Sequence, residues 1–361
     1  MNESEPEIVI GVDCHKKMHV LAAINEQGRQ VAGITVDATA DGHAKALRWA
    51  HTKFHSKTTV WAIEDVRVLS RRLEFHLIDH GQVVVRVPTK LMARVRDRAR
   101  ARGKSDVLDA TSTAIAGLRY YPDLPIAFHD QVSYELKLLV DRRRNLVRDR
   151  AAQISRLRWR IHEIAPEFKA GPYLTCVKHQ DHLRDFLLTQ QPSVLTKITL
   201  AEVDELARYT KDIRELEKEI RTRITAVAPN LLAVPGCGYL SAARLVADAA
   251  NVTRFRTEAQ FAMHVGLAPV PYFSAAQPRF RGGHSGHRAM RSAIHKVAVA
   301  QIRSSGVGRP YYDRRLESGD SKPAALRALR RIISRVLFTA LRKDYLLRTA
   351  DPQASVAPSG G

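Results

Sequence analysis

The spacing of apolar residues changes period repeatedly over the first third of the chain. IVIGVD, from Ile8, is a short run rich in β-branched side chains and predicts a strand. MHVLAAINEQG predicts a second strand closing in a turn, and QVAGITVD a third. From Asp41 to Phe54 the spacing becomes helical, with Ala44, Leu47 and Ala50 on one face. TTVWAIED reads as a buried fourth strand, LSRRLEFHLIDHG as a helix capped at Gly81, and QVVVRVP as a fifth strand closed by Pro88. Another helix is expected from about Asp106 to Tyr120. Three strands in succession, then strands alternating with helices, predict one mixed sheet covered by helices.

From Ser133 to Ile164 the pattern is helical and heavily charged. Leu136, Leu139, Val140, Leu146, Val147, Ile154, Leu157 and Ile161 form its apolar seam. A second helix is expected from Ala201 to Ala226, with Pro166, Pro172 and Pro192 in the connection between the two. Two such helices form an antiparallel coiled-coil arm, a dimerisation element or a pair packed on the body. Beyond Pro229, LLAVPGCGYLSAARLVADAAN sets a Gly-x-Gly turn between two apolar helical stretches. A helix-hairpin-helix presents backbone N–H groups to phosphate from such a turn, and a plain packing unit fits equally well. The expected organisation is an α/β domain over 1–125, a helical connector over 126–228, a mostly helical domain over 229–345 and a disordered tail over 346–361.

The charge balance narrows the function. Across 361 residues, 58 Lys and Arg stand against 37 Asp and Glu, a formal net charge of +21. A polyanionic partner is implied, nucleic acid first, because each neutralised phosphate releases condensed counterions. Cys14, Cys176 and Cys237 are odd in number and far apart, which predicts neither a disulfide framework nor a zinc site and fits a reducing cytoplasm. MNESEPEIVIGVD lacks the basic-then-apolar pattern of a signal peptide, and no apolar run is long enough to span a membrane.

The candidate chemistry lies in four carboxylates. Asp13 ends the first strand pattern and Glu64 the fourth, so both can stand on one sheet edge. Asp106 and Asp109, in KSDVLDA, share a helix face at three-residue spacing. Converging carboxylates repel unless cations lie between them, and Mg²⁺ suits an all-oxygen site open to substrate phosphates. Each has a bland alternative: Asp13 as a turn residue, Glu64 in competition with Asp65, Asp106 as a helix cap, and Asp109 as a first-turn acid.

GVDCHKKMHVLAAINEQG, AIED and GKSDVLDA resemble the three blocks of a DEDD transposase domain, the Holliday-junction-resolvase branch of the ribonuclease-H-like fold. LLAVPGCGYLSAARLVADAANVTRFRTEAQFAMHVGLAPVPYFSAAQPRFRGGHSGHRAMRSAI and GRPYYDRRLESGDSKPAALRALRRIISRVLF resemble the second domain of the same family. That family is the insertion-sequence one-ten transposases, which include the Piv-like DNA invertases. The resemblance covers residues 8 to about 345. It implies site-specific DNA strand exchange by dimers or tetramers, acting on donor and target DNA with a structured non-coding guide RNA.

The resemblance also implies a nucleophilic serine shortly after a Gly-Leu-x-Pro block. Here the block is Gly266-Leu267-Ala268-Pro269, and the matching serine is Ser274. Ala275 stands where the family usually has glycine, and Ser285, in RGGHSGHRAMR, is the second candidate. A serine holding one strand as a phosphoserine conserves the bond energy for rejoining. Arg279, Arg281 and Arg288 near that block, and Arg94, Arg98, Arg100, Arg102 and Lys104 before the Asp106 helix, are the candidate backbone contacts. Two rival readings stand beside this one. A resolvase- or invertase-type nuclease would use the carboxylates with water, and a non-catalytic nucleic-acid-binding protein would use neither.

Overall fold

The computed structural model describes residues 6–64, 67–89, 91–92, 105–124, 126–127, 130–274, 277–282, 286–303 and 306–350, with backbone alone at 67, 122, 269–274 and 277–282. The chain divides into two compact units, Met1–His129 and Asp130–Gly361.

The first unit is a five-stranded mixed sheet in the order β3-β2-β1-β4-β5: β1 Ile8–Cys14, β2 Met18–Asn25, β3 Gln30–Asp37, β4 Thr59–Glu64 and β5 Val83–Val87. β1, β2 and β3 pair antiparallel, while β4 runs parallel to both β1 and β5. All five strands expected from the periodicity are present. β1 is buried along its whole length, which is why IVIGVD reads as an uninterrupted apolar run. On one face Ile8, Ile10, Val12, Trp61 and Ile63 pack with Leu73 and Leu77 of helix α2, Arg67–Asp79; helix α1 covers Ala40–Phe54. Helix α3, Asp106–Tyr120, packs Ala114 and Ala116 against Val9, Ala62 and Val85 on the other face. Gly81 takes the left-handed conformation at φ 74°, and its N–H donates to the Ile78 carbonyl, as the predicted cap requires.

In the second unit two 34-residue helices, α4 Gln131–Ile164 and α6 Val194–Val227, pack antiparallel. Leu136 and Val140 meet Ile220 and Ile224 in one core. Leu157 and Ile161 meet Val203 and Leu206 in another, closed by Leu183 and Leu187 of α5, Val177–Thr189. α6 begins seven residues before the expected Ala201, because Ser193 caps it by accepting from the Thr196 N–H at 3.0 Å. The first core continues through α7 Pro229–Ala233, α8 Tyr239–Ala249, α9 Glu258–Val265, α10 Arg288–Arg303, α11 Arg309–Glu317 and α12 Lys322–Ala350. A two-stranded hairpin, β6 Pro269–Ser274 and β7 Gln277–Gly282, interrupts the helices. The tail expected to be disordered from residue 346 is instead helical to Ala350; residues 351–361 lie outside the described residues. Asp344, buried in that last helix, accepts from the Asn230 and Leu231 N–H groups, and this anchors the helix beyond the point where apolar periodicity fades. Among the described residues no helix is long and apolar enough to cross a membrane.

Candidate active site

The site is set by how closely α3 approaches the sheet. A Cβ on Gly11 would stand 2.1 Å from the Ala110 carbonyl oxygen, and one on Gly117 would stand 2.5 Å from the Ala62 Cβ. Glycine at these two positions lets the helix lie against β1 and β4. Asp13 lies two residues beyond Gly11, and Glu64 two beyond Ala62, so both carboxylates share the face that α3 covers. The parallel register, Gly11 opposite Ala62 and Val12 opposite Ile63, carries Asp13 and Glu64 to neighbouring positions at the sheet edge.

α3 begins at this edge. Ser105 is its cap, accepting from the Leu108 N–H at 3.3 Å, so Asp106 is the first helical residue rather than the cap, with Asp109 one turn on. Asp13 is buried and Glu64 half-buried. Burial holds the Asp13 carboxyl above the usual carboxylate range. His15 opposes that rise, and the charges of Asp109 and Asp106 add to it. Burial, with Asp13, Glu64 and Glu74 nearby, pushes the Cys14 thiol up to about 12, so Cys14 serves packing rather than chemistry.

His15 is a residue the carboxylate pattern did not single out. Its Nε2 lies 3.0 Å from the Asp13 carboxylate and 3.6 Å from that of Asp106. Asp13, His15 and Asp106 offer donor atoms all within 4.8 Å of one another. A buried carboxyl crowded by like charges ionises readily only beside a cation, so this donor set suits a divalent metal ion. Its signal in the sequence is the Asp-x-His spacing at the end of β1.

The serine block is held from both ends in the second unit. Gly266 ends α9 in the left-handed conformation at φ 77°. Gly286 has φ 112°, and a Cβ there would stand 2.5 Å from the Gly266 nitrogen. The His287 N–H donates to the His264 carbonyl at 2.8 Å. These contacts pin the two ends of the hairpin together, with Ser274 the last residue of β6, opposite Gln277. Beneath them the buried Asp248 meets Lys137 at 2.8 Å, Arg244 at 3.5 Å and His287 at 3.8 Å. Ala275 and Ser285 lie outside the described residues, as do Arg94, Arg98, Arg100, Arg102 and Lys104. Arg279 and Arg281 are backbone positions of β7, and Arg288 is exposed at the first position of α10.

The Gly-x-Gly turn joins α7 to α8. Gly236, at φ 77°, packs on α10, where a Cβ would stand 3.0 Å from the Val297 carbonyl oxygen. Gly238 caps α8 with open space around it. The first glycine therefore serves packing, and the second leaves the α8 N-terminus accessible.

Two family models match the chain. The one described as Transposase matches residues 10–166, and the one described as Transposase IS116/IS110/IS902 family matches residues 228–313. The insertion element IS116 44.8 kDa protein of Streptomyces clavuligerus is 24% identical over 99% of this chain and 100% of its own length. The insertion element IS110 43.6 kDa protein of Streptomyces coelicolor is 25% identical over 96% of each. Among solved structures, T. thermophilus RuvC in complex with Holliday junction substrate is similar over 33% of this chain and 99% of its own, at 15% identity and a TM-score of 0.26. Kinship therefore rests on the matched family models and the full-length relatives rather than on that superposition. The chain belongs to the IS110-type insertion-sequence transposases.

Proposed function

We propose that this transposase excises and inserts its element by site-specific strand exchange, with a ribonuclease-H-like carboxylate site in the first unit and Ser274 as nucleophile. The observation that supports this most is the convergence of Asp13, His15 and Asp106, with Asp109 acting on the same buried carboxyl. Asp13, Glu64, Asp106 and Asp109 would hold Mg²⁺. When bound, the ion would supply charge stabilisation to the phosphate undergoing displacement.

Ser274 Oγ attacks the scissile phosphorus, and its bond to phosphorus forms as a DNA oxygen leaves with a proton. A hydroxyl of the partner strand then displaces the serine, which recovers its proton. The phosphodiester count is unchanged, so no external energy source is required. The +21 charge supports binding of donor and target DNA. Arg94, Arg98, Arg100, Arg102, Lys104, Arg279, Arg281 and Arg288 are proposed to track the backbone. A structured guide RNA would read sequence by pairing, and a homodimer or homotetramer would present two sites.

One observation favours a second reading. The carboxylates lie within a single compact unit that does not include Ser274, and a resolvase-like nuclease using water would need that unit alone. Strand cleavage of junction DNA by the full chain, with and without divalent ion, tests the proposal. Asp106→Asn and Asp109→Asn should each abolish cleavage while leaving nucleic-acid binding in place. Normal cleavage by both variants would remove the carboxylate assignment.

A further inference from the structure

Helices α10 and α12 pack through Ile294, Val297, Leu329, Ile333 and Leu337. Beside this apolar contact, cations gather from both helices. Arg330 is half-buried, and its guanidinium is held below its ordinary range by burial, then by Arg291 and Arg327; among the described residues no carboxylate acts on it. His295, one turn after Arg291 on α10, is shifted down by burial and by Arg330. Arg330 Nε and His295 Nδ1 are both buried without a hydrogen-bond partner among the described residues.

The adjacent face of α12 differs. Arg331 and Arg335 both face Glu258, at 3.9 and 3.6 Å. Pairing is thus available to cations on this helix, whereas among the described residues Arg330 is crowded by cations alone. Like charges drawn together around unpartnered buried nitrogens destabilise a fold, and such local conflicts are expected where a ligand resolves them. The ligand must be anionic, rich in acceptor oxygens and extended. Arg288, exposed one turn before Arg291, lengthens the row along α10.

We infer that the seam between α10 and α12 seats a nucleic-acid phosphodiester backbone through Arg291, His295, Arg327 and Arg330. The inference rests on the reading that this chain works on nucleic acid, and it adds a binding surface outside the proposed catalytic residues.

The test uses the full chain, a labelled DNA duplex, a labelled structured RNA, and the Arg327→Gln/Arg330→Gln variant. Binding is followed by anisotropy across a KCl series, and thermal unfolding is recorded in parallel. For each phosphate the variant no longer neutralises, the log–log salt slope should fall by roughly 0.9 on duplex or 0.7 on single strands. The melting temperature should hold or rise, because like-charge crowding is relieved. A smaller slope on the duplex alone identifies DNA as the occupant, on the RNA alone identifies RNA, and on both identifies a shared track. Arg330→Lys should keep most of the slope. An unchanged slope on both probes would overturn the inference, as would a fall in melting temperature with no change in binding. A wild-type chain that bound neither probe would instead overturn the proposed function.

Discussion

Gly11 of β1 and Ala110 of α3 are in backbone contact so close that a Cβ on the glycine would stand 2.1 Å from the alanine carbonyl oxygen. That contact fixes the height of α3 over the sheet, and with it the approach of Asp106 and Asp109 to Asp13. Gly11→Ala should therefore lift the N-terminal turn of α3. The expected cost is roughly 1–3 kcal/mol of stability, typical of overpacking. Divalent-ion affinity should fall with it, read together by denaturant unfolding and metal titration. Unchanged metal affinity in a destabilised variant would show that the helix does not set the site.

The first unit is legible in the sequence because its signals are local. β1 to β5 carry dense β-branched runs, and α1 to α3 carry clear apolar faces between turn residues. The carboxylate order at strand ends is legible for the same reason. Other features are hidden by tertiary packing. Thr196 and Thr199 read as poor helix formers, yet both are buried in α6 behind the Ser193 cap. The β6–β7 hairpin has Pro269, Pro271 and Pro278 in its strands, which masks the strand pattern. The Asp-x-His spacing marks His15 locally, but its approach to Asp106 depends on the fold bringing α3 beside β1.

Asp13 allows a test of the metal site by stability. Its carboxyl is raised, so the stabilisation it gives is present at low pH and is lost as pH rises through its folded value. At neutral pH Asp13→Asn should be at least as stable as wild type without metal. A divalent ion at a hundredfold over its Kd should stabilise wild type by about 2.7 kcal/mol and the variant far less. Equal gains in both proteins would place the ion elsewhere.

On the opposite face of the sheet, His19 and His43 are buried with Nε2 atoms 3.3 Å apart, and the His76 ring lies near that of His43. Burial and the neighbouring His19, His76 and Arg72 hold His43 down at about 4; burial also lowers His19 and His76. These groups are neutral when folded and take up protons on unfolding. Their stabilisation is therefore complete above the unfolded value of about 6.5 and is lost as pH falls toward 4. Urea midpoints should drop steadily over that interval. His43→Leu should flatten the decline, and an unaltered slope would show that His43 does not contribute to it.

Gly286 at φ 112° packs on Gly266 and closes the base of the hairpin that carries Ser274. Gly286→Ala combines a left-handed strain with a backbone clash, each worth roughly 1–3 kcal/mol. Recombination should fall much further than affinity for DNA, measured on the same preparation. Parallel loss of both, or loss of neither, would count against a role in placing Ser274.

The proposed covalent step is tested most directly by trapping it. Full-length protein, DNA and a divalent ion should give, on denaturation, a protein–DNA adduct. Nuclease digestion and peptide mass should place its phosphoester at Ser274. Ser274→Ala should lose adduct and recombination together and still bind nucleic acid, since one hydroxyl contributes little to a large charged interface. Recombination by Ser274→Ala at the wild-type rate, or an adduct mapped to Ser285, would contradict the assignment of Ser274 as nucleophile.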